Sequence, residues 1–168
     1  HNLVRLFYLD ASVLAKRYAR EQGSVLVNEM MQRLPPEEMT SPTIGVLEIV
    51  SILVRKRNDH RLSKDLFAQA MINLRAETID NEAFETVSIT EPQVLSAMGF
   101  IEKHNLNATD AMILRSLMDI SGKTDPESDQ VVLWTSDQRL ERAATSEGIV
   151  VFNPKLKTQA DLHTLLST

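Results

Sequence analysis

The chain has no cysteine among its 168 residues, which excludes disulfide bonds and thiolate ligands for zinc. It also has no long apolar run. Its longest apolar stretch, from Ile44 to Val54, is far shorter than the ~20 residues that cross a bilayer. No signal peptide is visible, and His1-Asn2, typical of the remainder of a tag, carries no structural weight. These absences predict a cytoplasmic protein without a membrane segment.

Several functional signatures are missing as well. The four histidines are scattered, without HxH or HxxxH spacing, so neither a histidine metal site nor a histidine general base is expected. No GxSxG, Walker or GxGxxG motif occurs. The net charge of −5 gives the fold as a whole no attraction for nucleic acid. A nucleic-acid substrate would therefore need a local basic patch, or a metal ion, to hold its phosphates.

Two basic clusters could supply such a patch. They are Lys16-Arg17-Arg20 and Arg55-Lys56-Arg57, each in a segment with a helical pattern. The plainer interpretation of each cluster is a solvated helix face. The alternative is contact with a phosphate backbone near a metal ion, which would weaken as salt is added.

Strands alternate with helices along the chain. Strands are predicted at residues 3–9, 84–89, 131–135 and 149–152, with a short extended piece at 38–41. Helices are predicted at residues 13–31 (interrupted by Gly23), 42–57 with Ser41 as its cap, 63–80, 90–105, 108–122, 138–147 and 159–166. This alternation predicts one α/β domain over residues 1–168, with three layers. A central, mostly parallel sheet of four to five strands would be flanked by helices.

Two aspartates follow predicted strands directly. Asp10 closes the apolar run Leu3–Leu9, and Asp137 follows Val131–Ser136; each then begins a helix. In an open parallel sheet, ligands bind beyond the carboxyl ends of the strands, where helix N-termini also lie. A structural role as helix N-caps would explain either aspartate alone, since aspartate is a favoured cap. That the same arrangement occurs twice favours a binding site.

Two further acids lie within apolar helical segments. Glu48 shares a helix face with Ile44 and Ile52, and Asp110 opens the apolar run Ala111–Leu114. A structural interpretation would pair Glu48 with an arginine and assign Asp110 to the helix dipole. Buried, isolated charges are very costly, and four carboxylates together would repel one another unless a cation neutralised them. Hard oxygen ligands favour Mg²⁺ or Mn²⁺ over zinc, so the four acids predict a Mg²⁺ or Mn²⁺ site.

The segments around the four acids resemble motifs of a known family. They are Tyr8-Leu9-Asp10-Ala11-Ser12 with the helix after it, Ser41-Pro42-Thr43-Ile44-Gly45-Val46-Leu47-Glu48, Leu106-Asn107-Ala108-Thr109-Asp110-Ala111 and Thr135-Ser136-Asp137-Gln138-Arg139-Leu140. In this order and spacing they resemble the PIN-domain family of metal-dependent ribonucleases, in particular the VapC-like toxins of bacterial toxin–antitoxin pairs. The resemblance covers residues 3–153 and leaves 154–168 as a C-terminal tail.

The resemblance implies a function and a set of site residues. Asp10, Glu48, Asp110 and Asp137 would be the catalytic, metal-binding quartet, with Ser12 and Ser136 as hydroxyl residues that orient a metal-bound water or the fourth acid. The expected activity is Mg²⁺- or Mn²⁺-dependent endoribonuclease cleavage of RNA, with an antitoxin partner and a homodimer as family habits. Two alternatives stay open: a catalytically weak PIN-like module that binds a metal or a partner, and a structure-specific DNA nuclease.

Overall fold

The structure is a computed structural model that describes residues 4–167. Its centre is a five-stranded sheet in which every neighbouring pair of strands is parallel. The strands are β1 (Arg5–Leu9), β2 (Met39–Pro42), β3 (Glu85–Val87), β4 (Gln130–Trp134) and β5 (Val150–Phe152). Their spatial order is β3-β2-β1-β4-β5, so β1 is the central strand. The sheet confirms the predicted α/β fold, and its five strands agree with the predicted four to five.

Nine α-helices connect and flank the strands within the described residues. They are α1 (Ala11–Tyr18), α2 (Ser24–Arg33), α3 (Thr43–Asn58), α4 (Lys64–Leu74), α5 (Glu91–Ser96), α6 (Met98–His104), α7 (Ala108–Ser121), α8 (Gln138–Ser146) and α9 (Gln159–Ser167). A 3-10 turn at Pro36–Glu38 precedes β2, and a π-helical turn at Arg75–Ile79 extends α4. No helix within the described part of the chain is long and apolar enough to cross a membrane.

Alternating side chains of the central strands pack into two separate cores, as the period-two geometry of a strand requires. Phe7 and Leu9 of β1 pack with α1–α4 and α9, whereas Tyr8 packs with helices α5–α8 on the other face. Trp134 of β4 lies in the first core, with its ring centroid 4.3 Å from that of Phe152. The sheet therefore has a helical layer on each side, which confirms the predicted three layers.

Several predicted boundaries differ from the structure. The strand predicted from residue 3 begins at Arg5, and residue 3 itself, like His1-Asn2, lies outside the described residues. Ser41 does not cap α3: it lies in β2, and its hydroxyl donates to the Leu9 carbonyl at 2.9 Å. Pro42 then occupies the cap position with extended backbone (φ −63°, ψ 141°), and α3 begins one residue later, at Thr43.

Two long predicted helices are interrupted for local reasons. The helix over residues 90–105 divides into α5 and α6 at Ala97, whose amide is shared between the carbonyls of Gln93 and Val94. The helix over 63–80 widens into the π turn, where the Thr78 hydroxyl donates to the Leu74 carbonyl. Such back-bonding by threonine competes with the regular helical pattern.

Alanine substitutions at two glycines test the fold, because they should change the free energy of unfolding in opposite directions. Gly23, before α2, has φ +95°, and an added Cβ would lie 3.1 Å from the Pro154 backbone, whereas an added Cβ at Gly99 in α6 would meet nothing within 4 Å. Gly23→Ala should lower the free energy of unfolding by about 1–3 kcal/mol, because left-handed backbone is strained for alanine. Gly99→Ala should raise it by up to about 1 kcal/mol. Urea unfolding of both variants measures these changes. If both substitutions raised the free energy of unfolding, or both lowered it, the described backbone at Gly23 or Gly99 would be wrong.

Candidate metal centre

Asp10 lies at the carboxyl end of the central strand and is almost fully enclosed. Its backbone N–H still donates to the Trp134 carbonyl at 3.0 Å, so the chain stays paired with β4 one residue beyond β1. Its side chain is only 4% exposed. Although Asp10 occupies the N-cap position of α1, its side chain makes no capping hydrogen bond. A helix-cap role therefore does not explain this aspartate.

Two hydroxyl groups hold the Asp10 carboxylate. Ser12 Oγ donates to Asp10 Oδ2 at 2.7 Å, and Thr135 Oγ1 donates to the same oxygen at 2.9 Å. Burial raises the pKa of Asp10; the two hydroxyl donors oppose this rise, and the Asp137 charge adds to it. The result is a carboxylate fixed in orientation that lacks any cationic partner.

Glu48 reaches the same region from the second turn of α3. Its Oε1 atom is buried and has no hydrogen-bond partner, so no arginine neutralises it. Burial, together with the negative charges of Asp10 and Asp110, raises the pKa of Glu48 to about 7. A buried carboxylate oxygen without a partner, repelled by two other acids, fits a cation-binding site better than a structural ion pair.

Asp110 comes from the opposite helical layer. It lies in the first turn of α7 and is 8% exposed, while its backbone N–H donates to the capping Asn107 side chain at 2.8 Å. Burial raises the pKa of Asp110 to about 6, helped by the charges of Asp137 and Asp10 and opposed by Arg139. The helix dipole therefore does not compensate for the loss of water around this acid.

Asp137 is the acid with the clearest structural role. It caps α8, because its Oδ1 atom accepts the Leu140 N–H at 3.0 Å. Its own N–H donates to Thr135 Oγ1 at 3.1 Å, which ties it to the Asp10 site. Only its second carboxylate oxygen remains available for another ligand.

The four acids are coupled electrostatically without forming a finished coordination sphere. Asp10, Glu48, Asp110 and Asp137 are linked by mutual repulsion that raises the pKa values of the first three. Within residues 4–167, however, no three acidic or histidine side chains are arranged as a ligand set around one point. Like charges resist closer approach unless a cation neutralises them. The donor chemistry and the orphaned Glu48 oxygen fit a hard divalent cation such as Mg²⁺ or Mn²⁺.

The two predicted serines lie in different hydrogen-bond networks. Ser12 bridges the two strand ends, since it donates to Asp10 and accepts the Ser136 N–H at 3.0 Å. The Ser136 hydroxyl instead donates to Asn153 Oδ1 at 3.1 Å, on the far side of the loop after β4. Asn153 is buried and also donates to Glu141. It supports the loop rather than the acids.

Thr135 is the site residue that the sequence analysis missed. Its hydroxyl donates to Asp10 and accepts the Asp137 N–H, and the residue is completely buried. The available signal was its position directly after β4, in the same strand–helix junction as Asp137. A hydroxyl at that point can reach the neighbouring strand end, because parallel strands end at one edge of the sheet.

Residues 7–145 match the model of the PIN domain family. The chain belongs to the PIN domain family. The matched range contains all four acids, both predicted serines and Thr135. No curated protein sequence matches this PIN domain.

Solved structures share the fold at low sequence identity. FitAcB from Neisseria gonorrhoeae is 18% identical, with a TM-score of 0.61 over 90% of this chain and 100% of that one. PAE2754 from Pyrobaculum aerophilum is 17% identical, with a TM-score of 0.62 over the full length of both chains. A toxin–antitoxin complex from Klebsiella pneumoniae is 14% identical, with a TM-score of 0.54 over 88% of this chain and 96% of that one. These likenesses concern the fold.

The hydroxyl of Thr135 can be tested by an isosteric change. Thr135→Val removes the donor to Asp10 and the acceptor for the Asp137 N–H while keeping the side-chain volume. Because outer partners of metal ligands typically affect affinity by 10–100-fold, Mn²⁺ binding should weaken by about that factor. Isothermal titration with Mn²⁺ measures it. Thr40→Val is the matched control, since Thr40 is equally buried but donates to the Glu85 carbonyl; an equal loss in both variants would contradict a specific role for Thr135.

The raised pKa values predict that the metal-free protein loses stability with rising pH. Between pH 4.5 and about 7 the native state keeps a proton on Glu48 that the unfolded chain releases, and Asp110 behaves likewise between 3.8 and about 6. The native state therefore binds more protons, and the free energy of unfolding falls as pH rises through this window. Thermal unfolding in a chelating buffer should show a falling midpoint.

Glu48→Gln provides the matching variant. Removing one of the mutually repelling charges should raise the metal-free melting temperature by a few degrees near neutral pH and flatten its pH dependence. Glu37→Gln, at an exposed position, is the control and should change neither quantity. A Glu48→Gln protein less stable than the unaltered one above pH 7 would contradict the repulsion at the site.

Proposed function

We propose that this PIN domain is a Mg²⁺- or Mn²⁺-dependent endoribonuclease that hydrolyses RNA phosphodiester bonds, and that it is the toxin of a toxin–antitoxin pair. The observation that carries the proposal is the buried Oε1 atom of Glu48, which has no hydrogen-bond partner within residues 4–167 and lies close enough to Asp10 and Asp110 to be repelled by both. Such a set of carboxylates is suited to holding a hard divalent ion at which a phosphate can be bound.

Asp10, Glu48, Asp110 and Asp137 are the residues that would hold the ion. A bound divalent ion would supply positive charge for the scissile phosphate and lower the pKa of a water molecule. Ser12 and Thr135 fix one oxygen of Asp10, so this ligand is oriented before any ion arrives. The pKa values of Glu48 and Asp110 are raised to about 7 and about 6, so below these pH values ion binding competes with protons and should strengthen as pH rises through about 7.

The partners belong to the same proposal. The structural neighbour from Klebsiella pneumoniae is a toxin–antitoxin complex, which supports an antitoxin partner for this chain. RNA as the substrate makes the cytoplasm the expected place of action. A homodimer stays a prediction from the family resemblance, and size-exclusion chromatography with light scattering would establish the oligomeric state.

Replacing a metal ligand should abolish cleavage without unfolding the protein. Asp10→Asn and Asp110→Asn should each lower kcat for metal-dependent cleavage of single-stranded RNA by more than ~100-fold, because even the outer partners of metal ligands affect activity by 10–100-fold. Circular dichroism should show an unchanged fold. Asp59→Asn is the control, since Asp59 is exposed and pairs with Arg61 at 2.9 Å. Retained activity in both site variants would overturn the assignment.

Two further measurements separate the alternatives. A DNA strand of the same sequence should remain uncut under conditions that cleave the RNA; the opposite preference would identify a DNA nuclease. A catalytically weak binding module would bind Mn²⁺ in calorimetry yet leave RNA intact at every metal concentration. Cleavage that requires Mg²⁺ or Mn²⁺ and stops with a chelator excludes that module.

A further inference from the structure

An RNA strand must approach a site that carries four acids, so its phosphates need compensating positive charge nearby. Three of the six cations in the basic clusters seen in the sequence, Lys16, Arg17 and Lys56, are already paired with carboxylates. Lys16 is buried, and its Nζ atom lies 2.9 Å from one oxygen of Glu21, while Lys56 Nζ lies 2.8 Å from the other. Arg17 pairs with Glu77 at 2.8 Å. These cations are neutralised within the fold and mainly join α1, α3 and the π turn.

A different basic surface lies beside the acids. It is a groove of about 420 Å³ between the end of α6 and the exposed face of α8, here named the α6–α8 groove. Its polar lining consists of Lys103, His104, Asn105, Arg139, Arg142 and Ser146. Lys103 and His104 both contact Glu147 at 2.8 Å, so their charge is partly offset.

Arg139 and Arg142 supply the uncompensated charge of this groove. Both are exposed, and within residues 4–167 neither makes a hydrogen bond or an ion pair. They are three residues apart on α8, so they project from the same helix face. Exposed guanidinium groups without a carboxylate partner are suited to phosphate oxygens, which they can bind through two parallel hydrogen bonds.

Arg139 links the α6–α8 groove to the candidate metal centre. Arg139 is close enough to Asp110 to lower its pKa against the effect of burial. Asp137 caps the same helix, two residues before Arg139. The α8 residues that line the groove run from Arg139 to Ser146, over which the helix axis rises by about 10 Å, and Arg139 is the one nearest to the acids.

We propose that the α6–α8 groove binds the phosphate backbone of the RNA strand beside the cleavage position, with Arg139 and Arg142 as the phosphate contacts. This inference rests on the proposed function and assigns the substrate path of that same site. Contacts to phosphates carry no base information, so the groove contributes affinity and register rather than sequence preference.

The salt dependence of binding tests the groove. Labelled single-stranded RNA is titrated with protein in a chelating buffer, so that no cleavage occurs, at several salt concentrations. The Arg139→Gln/Arg142→Gln variant should bind several-fold more weakly, and the slope of log affinity against log salt should shrink by about 1.4, at about 0.7 for each lost contact. The shift should be the same for RNAs of different sequence.

The control removes the same charge elsewhere. Arg33→Gln/Arg61→Gln alters two arginines of α2 and the α3–α4 loop, on the opposite side of the sheet from α8, where they pair with Glu29 and Asp59. It should keep the affinity and slope of the unaltered protein. An equal loss of RNA affinity in both double variants would mean that only net charge matters, and would contradict phosphate binding in the groove.

Kinetics separate this inference from the proposed function. Arg142→Gln, which leaves Arg139 in place beside Asp110, should raise KM for RNA cleavage while kcat stays close to that of the unaltered protein. If the arginine variants still cleave RNA with unchanged KM and unchanged salt slope, the proposal that the groove binds RNA is wrong, while the proposed endoribonuclease activity is retained. An unaltered protein that neither binds nor cuts RNA would overturn both.

Discussion

The burial of Asp10 at the end of the central strand is the constraint around which the site is arranged. A carboxylate in that position loses its water, and the hydroxyls of Ser12 and Thr135, with the backbone N–H of Ala11, replace part of it. Both donors come from the segments that directly follow β1 and β4, so the pairing of these two strands also fixes the acid. The charge of Asp10 in turn raises the pKa values of Glu48 and Asp110. Asp10 thus interacts with both helix-borne acids, which are also coupled to each other, and Asp137 acts on Asp110 as well.

The topology of the sheet explains how these acids meet. The chain builds β1, β2 and β3 toward one edge, then crosses to place β4 on the other side of β1. A crevice opens where the strand order reverses, beyond the carboxyl ends of β1 and β4. Glu48 enters it from α3 in one helical layer and Asp110 from α7 in the other, while Asp10 and Asp137 lie in the two strand ends. Mutual repulsion in this crevice is expected to reduce the stability of the metal-free protein, so folding stability would depend on the same charges that are proposed to hold the ion.

Much of this arrangement could be predicted from the sequence, because apolar runs and strand–aspartate–helix junctions are local signals. The strands were predicted that way, and so were the four acids whose charges act on one another in the structure. Thr135 was missed, since a threonine after a strand has no distinctive pattern until the neighbouring strand brings Asp10 to 2.9 Å from its hydroxyl. The ion pairs of the basic clusters could not be predicted for a related reason. Lys16 and Arg17 depend on the distant carboxylates of Glu21 and Glu77, and such pairings are set by tertiary packing rather than by periodicity.

The distribution of charge matters more here than its sum. The chain has 23 acidic and 18 basic residues, but four of the acids form the candidate metal centre, so the remainder is nearly balanced at 18 − 19 = −1. A bound divalent ion would further offset the quartet. The net charge of −5 therefore comes mostly from the four acids of the candidate metal centre, and the rest of the protein has almost no net charge to repel RNA. Attraction then depends on where unpaired cations lie, and Arg139 and Arg142 lie on the helix that Asp137 caps. Positive charge beside the acids can hold a phosphate strand within reach of a bound ion. A protein cation placed among the four acids would instead neutralise the carboxylates that are proposed to bind the ion.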